Sequence, residues 1–396
     1  MQPLVISRLC IVTGLGAGLA ANLAGLRRDM TGLKPCTFDT VTLPTYVGEV
    51  AGVDDTVLSP DLAEYDCRNN RLAQLALQQD GFAESVAAAR EKYGDDRIGV
   101  FLGTSTSGIL QSELAYRRRT SPDPLPADFV YAGTHNSFSA ADFTRRYFRL
   151  TGPATALSAA CASSAKVFAT AARMIAAGLC DAAIVGGVDS LCLTTLYGFH
   201  SLDLLSPLPC RPFDVDRAGI SIGEAAGFAL LEKPDRYEGG DATLLLGVGE
   251  SSDAYHMSSP HPEGLGARLA MTRALAAANL SPDKIDYVNL HGTATAAGDA
   301  SEDRAITNLF GLDTPCSSTK GWTGHTLGAA GIVEAIIAAL SIEHNVMPGG
   351  IPSTNIDPAL KSRYVVGARD AAIDYAMTNS FGFGGANCSL ILGRAR

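Results

Sequence analysis

The sequence predicts an α/β fold made of two halves of comparable size. Short β-branched apolar runs alternate with Ala-rich runs of helical period, which is typical of strands that alternate with helices. A polar break at residues 235–241 separates the two parts. With 396 residues, of which 46% are hydrophobic and 18% charged, the chain is long enough for two cores. We therefore expect an N-terminal half at 1–240 and a C-terminal half at 241–396.

The individual elements follow from the same patterns. Short apolar runs predict buried strands at 97–103, 182–187 and 285–290. Longer runs with apolar residues every three to four positions predict helices at 72–90, 163–177, 266–278 and 326–344.

One uncharged run of 18 residues, Leu9 to Leu26, superficially resembles a signal or membrane segment. Its glycines, Thr13 and Asn22 favour a strand, a glycine turn and a short helix instead. The glycines at 14, 16 and 18 have the spacing GxGxG rather than GxGxxG, so a dinucleotide site is not predicted.

Charge and cysteine content exclude several functions. The net charge of −10 argues against nucleic acid or an anionic membrane as a partner. Nine cysteines without metal-type CxxC pairs, and no cleavable signal, indicate reduced thiols and a cytoplasmic location. No metal site is predicted.

Cys161 is the strongest candidate for a nucleophile. A β-competent apolar run ends at this cysteine, and an Ala-rich run of helical period follows it. The thiol is therefore expected on a sharp strand-to-helix turn, at the first turn of a buried helix. The positive end of the helix dipole stabilises a thiolate there.

Two histidines far downstream, His291 and His325, are the candidate partners of this cysteine. Both lie in Gly/Thr-rich segments that follow apolar runs, and Lys320 stands five residues before His325. Lysine is rarely buried without a partner or a role. One cysteine and two histidines at the ends of elements form a constellation suited to acyl transfer by way of a thioester.

These residues resemble the Cys-His-His site of the β-ketoacyl-acyl-carrier-protein synthases, in the elongating branch of fatty-acid synthesis. Further resemblance to that family extends along the chain in five ordered motifs, at 12–16, 211–227, 291–295, 320–331 and 379–387. The resemblance implies the thiolase fold, a five-layer αβαβα sandwich of two pseudo-duplicated halves. The nucleophile belongs to the first half, and both histidines and a gating loop belong to the second.

The resemblance also implies a reaction, a decarboxylative Claisen condensation. An acyl group moves from a carrier protein to Cys161, and a malonyl-carrier thioester then loses CO₂ and attacks it. The backbone N–H groups of Cys161 and Phe383 would form the oxyanion hole, and His291 and His325 would stabilise the enolate. Lys320 and Glu334 match a buried ion pair around the second histidine, His325, and Asp299 and Glu302 extend the polar network.

Substrate-binding residues are carried over in the same way. Thr293 and Thr295 match positions that hydrogen-bond the phosphopantetheine arm, which belongs to the carrier-protein substrate, so no cofactor of the chain's own is expected. The remaining substrate-site residues implied by the family pattern are Phe381, Gly382, Gly384, Ile220 and Thr106.

Three positions depart from the family pattern. Ala218 stands where the family usually has Asp, Ile220 where it has Phe, and Ala296 where it has Pro. The usual phenylalanine lies near the active-site cysteine and helps to gate the malonyl pocket. We therefore expect intact chemistry, whereas the substrate stays open between a primary fatty-acid chain and a chain of a specialised pathway, such as a polyene.

Two other readings stay open. A degradative thiolase would need a second catalytic cysteine in a C-terminal Cys-x-Gly loop, where this chain reads Phe381-Gly-Phe-Gly-Gly. A chain-length-factor-like subunit resembles a synthase but lacks the nucleophile, and Cys161 argues against it.

The expected partners are an acidic acyl carrier protein and a second subunit. Candidate docking clusters are Arg117–Arg119, Arg145 with Arg146 and Arg149, and Arg68 with Arg71. The apolar segment 154–172 around the nucleophile predicts a homodimer, because an unpaired strand there would be prone to aggregation. A heterodimer with a nucleophile-lacking subunit is the alternative.

Overall fold

The computed structural model describes residues 1–121, 125–237, 239, 242–350 and 355–395. The strands are, in chain order, β1 (Leu4–Thr13), β2 (Gly16–Ala17), β3 (Lys34–Pro35), β4 (Tyr46–Gly48), β5 (Ile98–Gly103), β6 (Ala154–Leu157), β7 (Ala182–Asp189), β8 (Ile222–Gly223), β9 (Ala225–Glu232), β10 (Thr243–Ser252), β11 (Tyr287–Asn289), β12 (Pro315–Ser317), β13 (Val346–Met347), β14 (Arg363–Tyr364), β15 (Arg369–Asp370), β16 (Tyr375–Gly382) and β17 (Ala386–Arg394). The α-helices are α1 (Leu19–Arg27), α2 (Arg68–Leu77), α3 (Phe82–Tyr93), α4 (Ile109–Arg118), α5 (Ser139–Tyr147), α6 (Ser163–Ala176), α7 (Leu193–Ser201), α8 (Leu265–Ala278), α9 (Ala296–Phe310), α10 (Lys320–Thr323) and α11 (Ala330–His344).

The two halves of the chain repeat one sheet topology. The first has the strand order β6-β5-β7-β9-β1, and the second has β12-β11-β16-β17-β10 with β14 added at its edge. In each half, the first three strands of this order run parallel to one another. Each of the last two strands pairs antiparallel with the strand before it. An antiparallel contact between β1 and β10 joins the two sheets.

The fold has five layers, and three hydrophobic clusters hold neighbouring layers together. A central core packs α6 and α11 between the two sheets. A second core packs α2, α3 and α5 against the outer face of the first sheet, and a third packs α8 and α9 against the second. The expected αβαβα order of layers is thereby confirmed. The proposed boundary at 240/241 lies outside the described residues and stays a prediction.

Most of the predicted elements are confirmed, and one helix is wrong. The helix predicted at 72–90 is two helices, α2 and α3, because the chain turns at Asp80 (φ 58°) and Gly81 (φ 69°). The helix predicted at 326–344 opens with a 3₁₀ turn, Leu327–Ala329, before α11. The run from Leu9 to Leu26 forms strand, turn and helix as expected.

Among the described residues, one helical segment has the length and apolar character of a membrane span. This segment, Leu327–His344, is 89% buried inside the fold. Its apolar side chains form the central core with α6. A core helix explains its composition.

The repeat in topology brings the candidate residues together. Cys161 follows β6 and precedes α6, whereas His325 follows the equivalent strand β12 and precedes the equivalent helix α11. His291 follows β11, the neighbour of β12. Because parallel strands present their carboxyl ends at one edge of a sheet, these turns face one another where α6 and α11 meet.

Candidate active site

Cys161 lies on the strand-to-helix turn that the sequence predicts. Ala160 has φ 47°, a left-handed conformation that is unusual for a residue with a Cβ, and α6 begins at Ser163. The Ser163 hydroxyl fixes this turn, since it accepts a hydrogen bond from Ala159 N (2.9 Å) and donates one to Ala160 O (2.6 Å). The thiol of Cys161 is thereby held at the start of α6, almost completely buried.

The structure brings the two histidines to this thiol. His325 Nε2 lies 3.0 Å from Cys161 Sγ, and the His291 and His325 ring centroids are 5.3 Å apart. One potential ligand atom from each of the three residues lies within 4.8 Å of the other two. The cluster is compact enough for a single bound thioester to contact all three side chains.

Hydrogen bonds to the far side of each ring set the histidine tautomers. Leu327 N–H donates to His325 Nδ1 (3.3 Å), and Lys320 Nζ donates to His291 Nδ1 (3.3 Å). Each ring therefore carries its proton on Nε2, the nitrogen that faces the cluster. Burial lowers the pKa of both histidines well below the usual value, and the Lys320 charge lowers both further. Both rings are neutral hydrogen-bond donors.

This protonation pattern bears on metal binding. A metal ion would need the Nε2 lone pairs, and the protons would then have to move to Nδ1 atoms that already accept hydrogen bonds. The residues present therefore fit an oxygen anion better than a metal ion.

Lys320 and Glu334 form the expected ion pair, but Lys320 makes its hydrogen bonds to His291 rather than to the second histidine, His325, around which the pair was expected. Lys320 Nζ donates to Glu334 Oε1 and also to His291 O (2.5 Å), and both side chains are buried. Burial raises the pKa of Glu334 to about 7, although the Lys320 charge opposes the rise. The pair fixes Lys320 Nζ at the point where it can donate to His291 Nδ1.

Burial and local donors act on Cys161 in opposite directions. Burial raises the pKa of the thiol to about 11, while the Lys320 charge and the Phe383 N–H group lower it. The start of α6 adds a favourable dipole. The sequence predicts only this last effect, whereas in the folded protein desolvation is the largest influence and keeps the thiol protonated at rest.

The gating loop, residues 381–385, covers the thiol. The Phe383 N–H group lies near enough to the sulfur of Cys161 to lower the pKa of the thiol. Gly382 packs on the Cys161 turn so closely that a Cβ there would lie 2.9 Å from Ala159 O and 3.1 Å from Cys161 N. The Phe383 ring rests 5.6 Å from the ring of Phe199 on α7. The loop thus aims one N–H donor at the nucleophile.

A cavity of about 430 Å³ opens onto the three catalytic candidates. Its walls include most of the predicted substrate residues, namely Ile220, Thr293, Thr295, Phe381, Gly382 and Gly384. The Thr293 and Thr295 hydroxyls are 2.9 Å apart, so they present one polar spot on the wall. Thr106 does not belong to the lining of this cavity, because its hydroxyl donates to the buried Asp189 instead.

Asp299 and Glu302 hold the backbone of the first histidine motif. Glu302 accepts hydrogen bonds from His291 N and Gly292 N, both 2.8 Å, and Asp299 accepts one from Ala294 N (3.1 Å). Burial raises the pKa of Asp299 to about 7. Asp299 does not line the cavity and acts through the backbone, whereas Glu302 holds the backbone and also forms part of the cavity wall.

Two residues of the site are absent from the sequence-based predictions. Phe199 lines the cavity beside Phe383, and Asp189 joins two turns behind Cys161. Phe199 lies in an ordinary helical run and carries no motif of its own. Asp189 ends an otherwise apolar strand, and an acid at the end of a buried strand needs hydrogen-bond partners, so its position in the sequence is itself a signal of such a role.

The predicted docking clusters are largely ion-paired within the chain. Arg68 is buried against Glu224, Arg117 pairs with Asp39 (3.0 Å), and Arg118 pairs with Asp128 (2.7 Å). Arg145 and Arg146 share Asp142. Arg68 is therefore unsuited to docking, whereas Arg117–Arg119 remain at the surface.

Reversal of Arg117–Arg119 to Glu is expected to raise KM for carrier-bound substrate by about tenfold, since a like charge would face the acidic carrier. Small thioester analogues should be processed as before. Steady-state kinetics on both substrates, at low and at physiological salt, would check this. An equal effect on both substrates would exclude this cluster from docking, as would no effect on either.

Comparison with known proteins identifies the class. A Beta-ketoacyl synthase, N-terminal domain profile matches residues 69–236, and a Beta-ketoacyl synthase, C-terminal domain profile matches residues 243–354. The 3-oxoacyl-[acyl-carrier-protein] synthase 2 of Coxiella burnetii (strain RSA 493 / Nine Mile phase I) is 33% identical, over 98% of each chain.

Solved structures agree with this. One chain of the complex of a ketosynthase with its chain length factor, from Xenorhabdus doucetiae, is 38% identical over 100% of this chain and 98% of that one, with a TM-score of 0.89. The ishigamide ketosynthase/chain length factor is 27% identical over 99% of each chain, with a TM-score of 0.91.

The fold and site define an acyl-transferring condensing enzyme of the thiolase superfamily. The chain belongs to the β-ketoacyl synthase family, and it condenses an acyl group with malonyl-acyl-carrier protein to give a 3-oxoacyl-acyl-carrier protein and CO₂.

Proposed function

We propose that this condensation runs on Cys161, His291 and His325 and serves a specialised acyl chain, within an assembly of two thiolase-fold subunits. The observation that carries the proposal is the cluster itself. One sulfur nucleophile faces two neutral Nε2–H donors, and a third donor, the Phe383 N–H group, lies above the sulfur.

In the first stage, the Cys161 sulfur attacks the carbonyl carbon of an acyl-carrier thioester. The N–H groups of Cys161 and Phe383 stabilise the oxyanion, and each such donor typically contributes about 3–4 kcal/mol. The bond from the carbonyl carbon to the pantetheine sulfur then breaks. That sulfur takes up the proton that Cys161 has lost, so the step yields an acyl-enzyme and a free carrier thiol.

In the second stage, malonyl-carrier thioester loses CO₂. The electron pair of the broken C–C bond moves onto the thioester as an enolate, whose oxygen accepts hydrogen bonds from His291 Nε2–H and His325 Nε2–H. Its carbon attacks the acyl-enzyme carbonyl, and the bond to the Cys161 sulfur breaks. The Cys161 thiolate that leaves takes up a proton from water and returns to the resting thiol. His325 Nε2 contacts the sulfur in the free enzyme, so acylation of the sulfur frees this donor for the enolate.

The proposed acyl substrate is argued from two residues in the wall of the cavity. Ile220 is almost fully buried and lines the cavity next to Ala218. Both side chains are smaller than the usual family residues at these positions. These two smaller side chains are the basis for proposing a specialised acyl chain rather than a primary fatty acid.

The proposed assembly of two subunits is argued from the edge strand β6. Within the part of the chain that the structure describes, this strand pairs on one side only, with β5, and its four residues are half-buried. An apolar edge of this kind is expected to pair with a second subunit. A second copy of the chain was the expectation from sequence, and a nucleophile-lacking subunit is the second candidate, favoured by the Xenorhabdus doucetiae complex. Nine unpaired cysteines support a reducing compartment, which we take to be the cytoplasm.

Light scattering on the purified chain separates the two assemblies. A homodimer would have twice the mass of the 41.2 kDa chain and would be active alone. A chain that aggregates or is inactive alone, and recovers when a chain-length-factor-like subunit is co-expressed, would establish the heterodimer. A stable monomer with full activity would refute pairing through β6.

A further inference from the structure

Close to the catalytic cluster, the buried carboxylate of Asp189 accepts hydrogen bonds from two turns that also contact each other. Asp189 is the last residue of β7 and has no exposed surface. The neighbouring parallel strand β5 ends at Gly103, so the loop that follows β5 starts beside Asp189. The carboxylate thus lies where β5, β7 and the turn before α11 converge.

The first of these turns, residues 104–106, gives Asp189 most of its hydrogen bonds. Asp189 Oδ1 accepts from Thr104 Oγ1 (2.7 Å), Thr106 N (2.9 Å) and Thr106 Oγ1 (2.9 Å). Ser105 donates from both its backbone N–H and its hydroxyl. Hydrogen bonds to a charged acceptor are stronger than those to a neutral one, so these donors attach the 104–106 loop firmly to the Asp189 carboxylate.

The second turn carries His325. Asp189 Oδ2 accepts a hydrogen bond of 2.5 Å from Gly328 N, and the Ser105 hydroxyl also lies 3.2 Å from that nitrogen. The residue before Gly328, Leu327, has φ 53°, a left-handed conformation that costs a side-chain-bearing residue energy. Leu327 N is the group that donates to His325 Nδ1. Asp189 is therefore anchored to the strained turn that fixes the tautomer of His325.

Packing around Gly328 leaves little room for another arrangement. A Cβ at this position would lie 2.7 Å from Asp189 Oδ2 and 2.7 Å from Ser105 N. The close approach is what allows the Gly328 N–H group to reach the carboxylate. The turn, the carboxylate and the 104–106 loop thus form one interlocked unit.

From this geometry we propose that Asp189 is a positioning residue for decarboxylation, which holds the strained Leu327–Gly328 turn so that His325 keeps its proton on Nε2. It touches no reacting atom and acts through Gly328 and Leu327. Without it, Leu327 can relax out of the left-handed conformation, and His325 Nδ1 loses its donor. The inference rests on the proposed role of His325 toward the enolate.

The test is Asp189→Asn, which keeps the size of the side chain but places an NH₂ group against backbone N–H donors. CO₂ release from malonyl-carrier substrate is expected to fall about tenfold, while acylation of Cys161, followed by mass spectrometry, changes less than threefold. Ser105→Ala removes only one supporting hydroxyl and should give a smaller loss of the same kind. Histidine side-chain ¹⁵N spectra should show His325 with a mixed tautomer in Asp189→Asn.

Asp303→Asn is the matched control, because Asp303 is also buried and accepts hydrogen bonds from two backbone N–H groups, of Lys361 and Ser362, and from a hydroxyl. Its ratio of decarboxylation to acylation should stay that of the wild type. If Asp189→Asn folds and keeps both that ratio and the His325 tautomer, the inference is wrong. If His325→Ala itself decarboxylates normally, the proposed role of His325 fails instead. Equal losses of both rates with an unchanged tautomer would assign Asp189 a structural role only and overturn the proposal.

Discussion

Cys161→Gln is expected to abolish condensation and to leave malonyl decarboxylation running. Glutamine has no nucleophilic sulfur, so no acyl-enzyme can form, and losses on the order of 10⁶ are typical when a covalent nucleophile is removed. The Nε2–H groups of His291 and His325 stay in place, since their tautomers are fixed from the far side of each ring. The enolate can therefore still be stabilised.

Two measurements on one sample would check this, 3-oxoacyl product by mass spectrometry and CO₂ release from malonyl-carrier substrate. Cys388→Ala is the matched control, because Cys388 is also a buried cysteine, in β17, but does not line the cavity. It should keep both activities. A folded Cys161→Gln protein that loses CO₂ release as completely as condensation would contradict the division of labour between the sulfur and the histidines.

His291→Ala and His325→Ala are each expected to slow decarboxylation by about 10²–10³, the usual cost of one oxyanion donor. Acylation of Cys161 should fall much less, because its oxyanion is held by backbone N–H groups. Neither ring is arranged as a base, since each Nε2 already carries a proton.

Single-turnover acylation and CO₂ release would be compared in each variant. His344→Ala serves as the control, because His344 is an exposed residue at the end of α11 and outside the cluster. Should acylation fall as far as decarboxylation in His325→Ala, then His325 would act as the base for Cys161, and the tautomer deduced from Leu327 N would be wrong.

The local features of the site were predictable from sequence to different degrees. An apolar run that gives way to an Ala-rich run placed Cys161 on its turn, whereas the pairing of Glu334 with Lys320 came from the family resemblance. The sequence also contains a signal for the break between α2 and α3, since Asp80-Gly81 is a dipeptide that commonly forms a turn. That signal was outweighed by the helical period on both sides of it.

Other features depend on contacts that sequence patterns do not encode. The order of the five layers came from the family resemblance, because periodicity alone does not say which helices lie between two sheets. The left-handed conformations of Ala160 and Leu327 occur at residues that rarely adopt them, so only their surroundings explain them. Thr106 was expected in the substrate site, yet its hydroxyl is committed to Asp189.

The most direct test of the account follows one acyl group through both stages. The chain is incubated with an acyl-carrier thioester. The mass of the peptide that contains Cys161 is then measured by mass spectrometry before and after malonyl-carrier substrate is added. We predict that the acyl mass appears on Cys161 alone, then disappears as equal amounts of CO₂ and a 3-oxoacyl-carrier product two carbons longer are formed. An acyl group found on another residue, or released from Cys161 as a free acid with no longer product, would contradict the account.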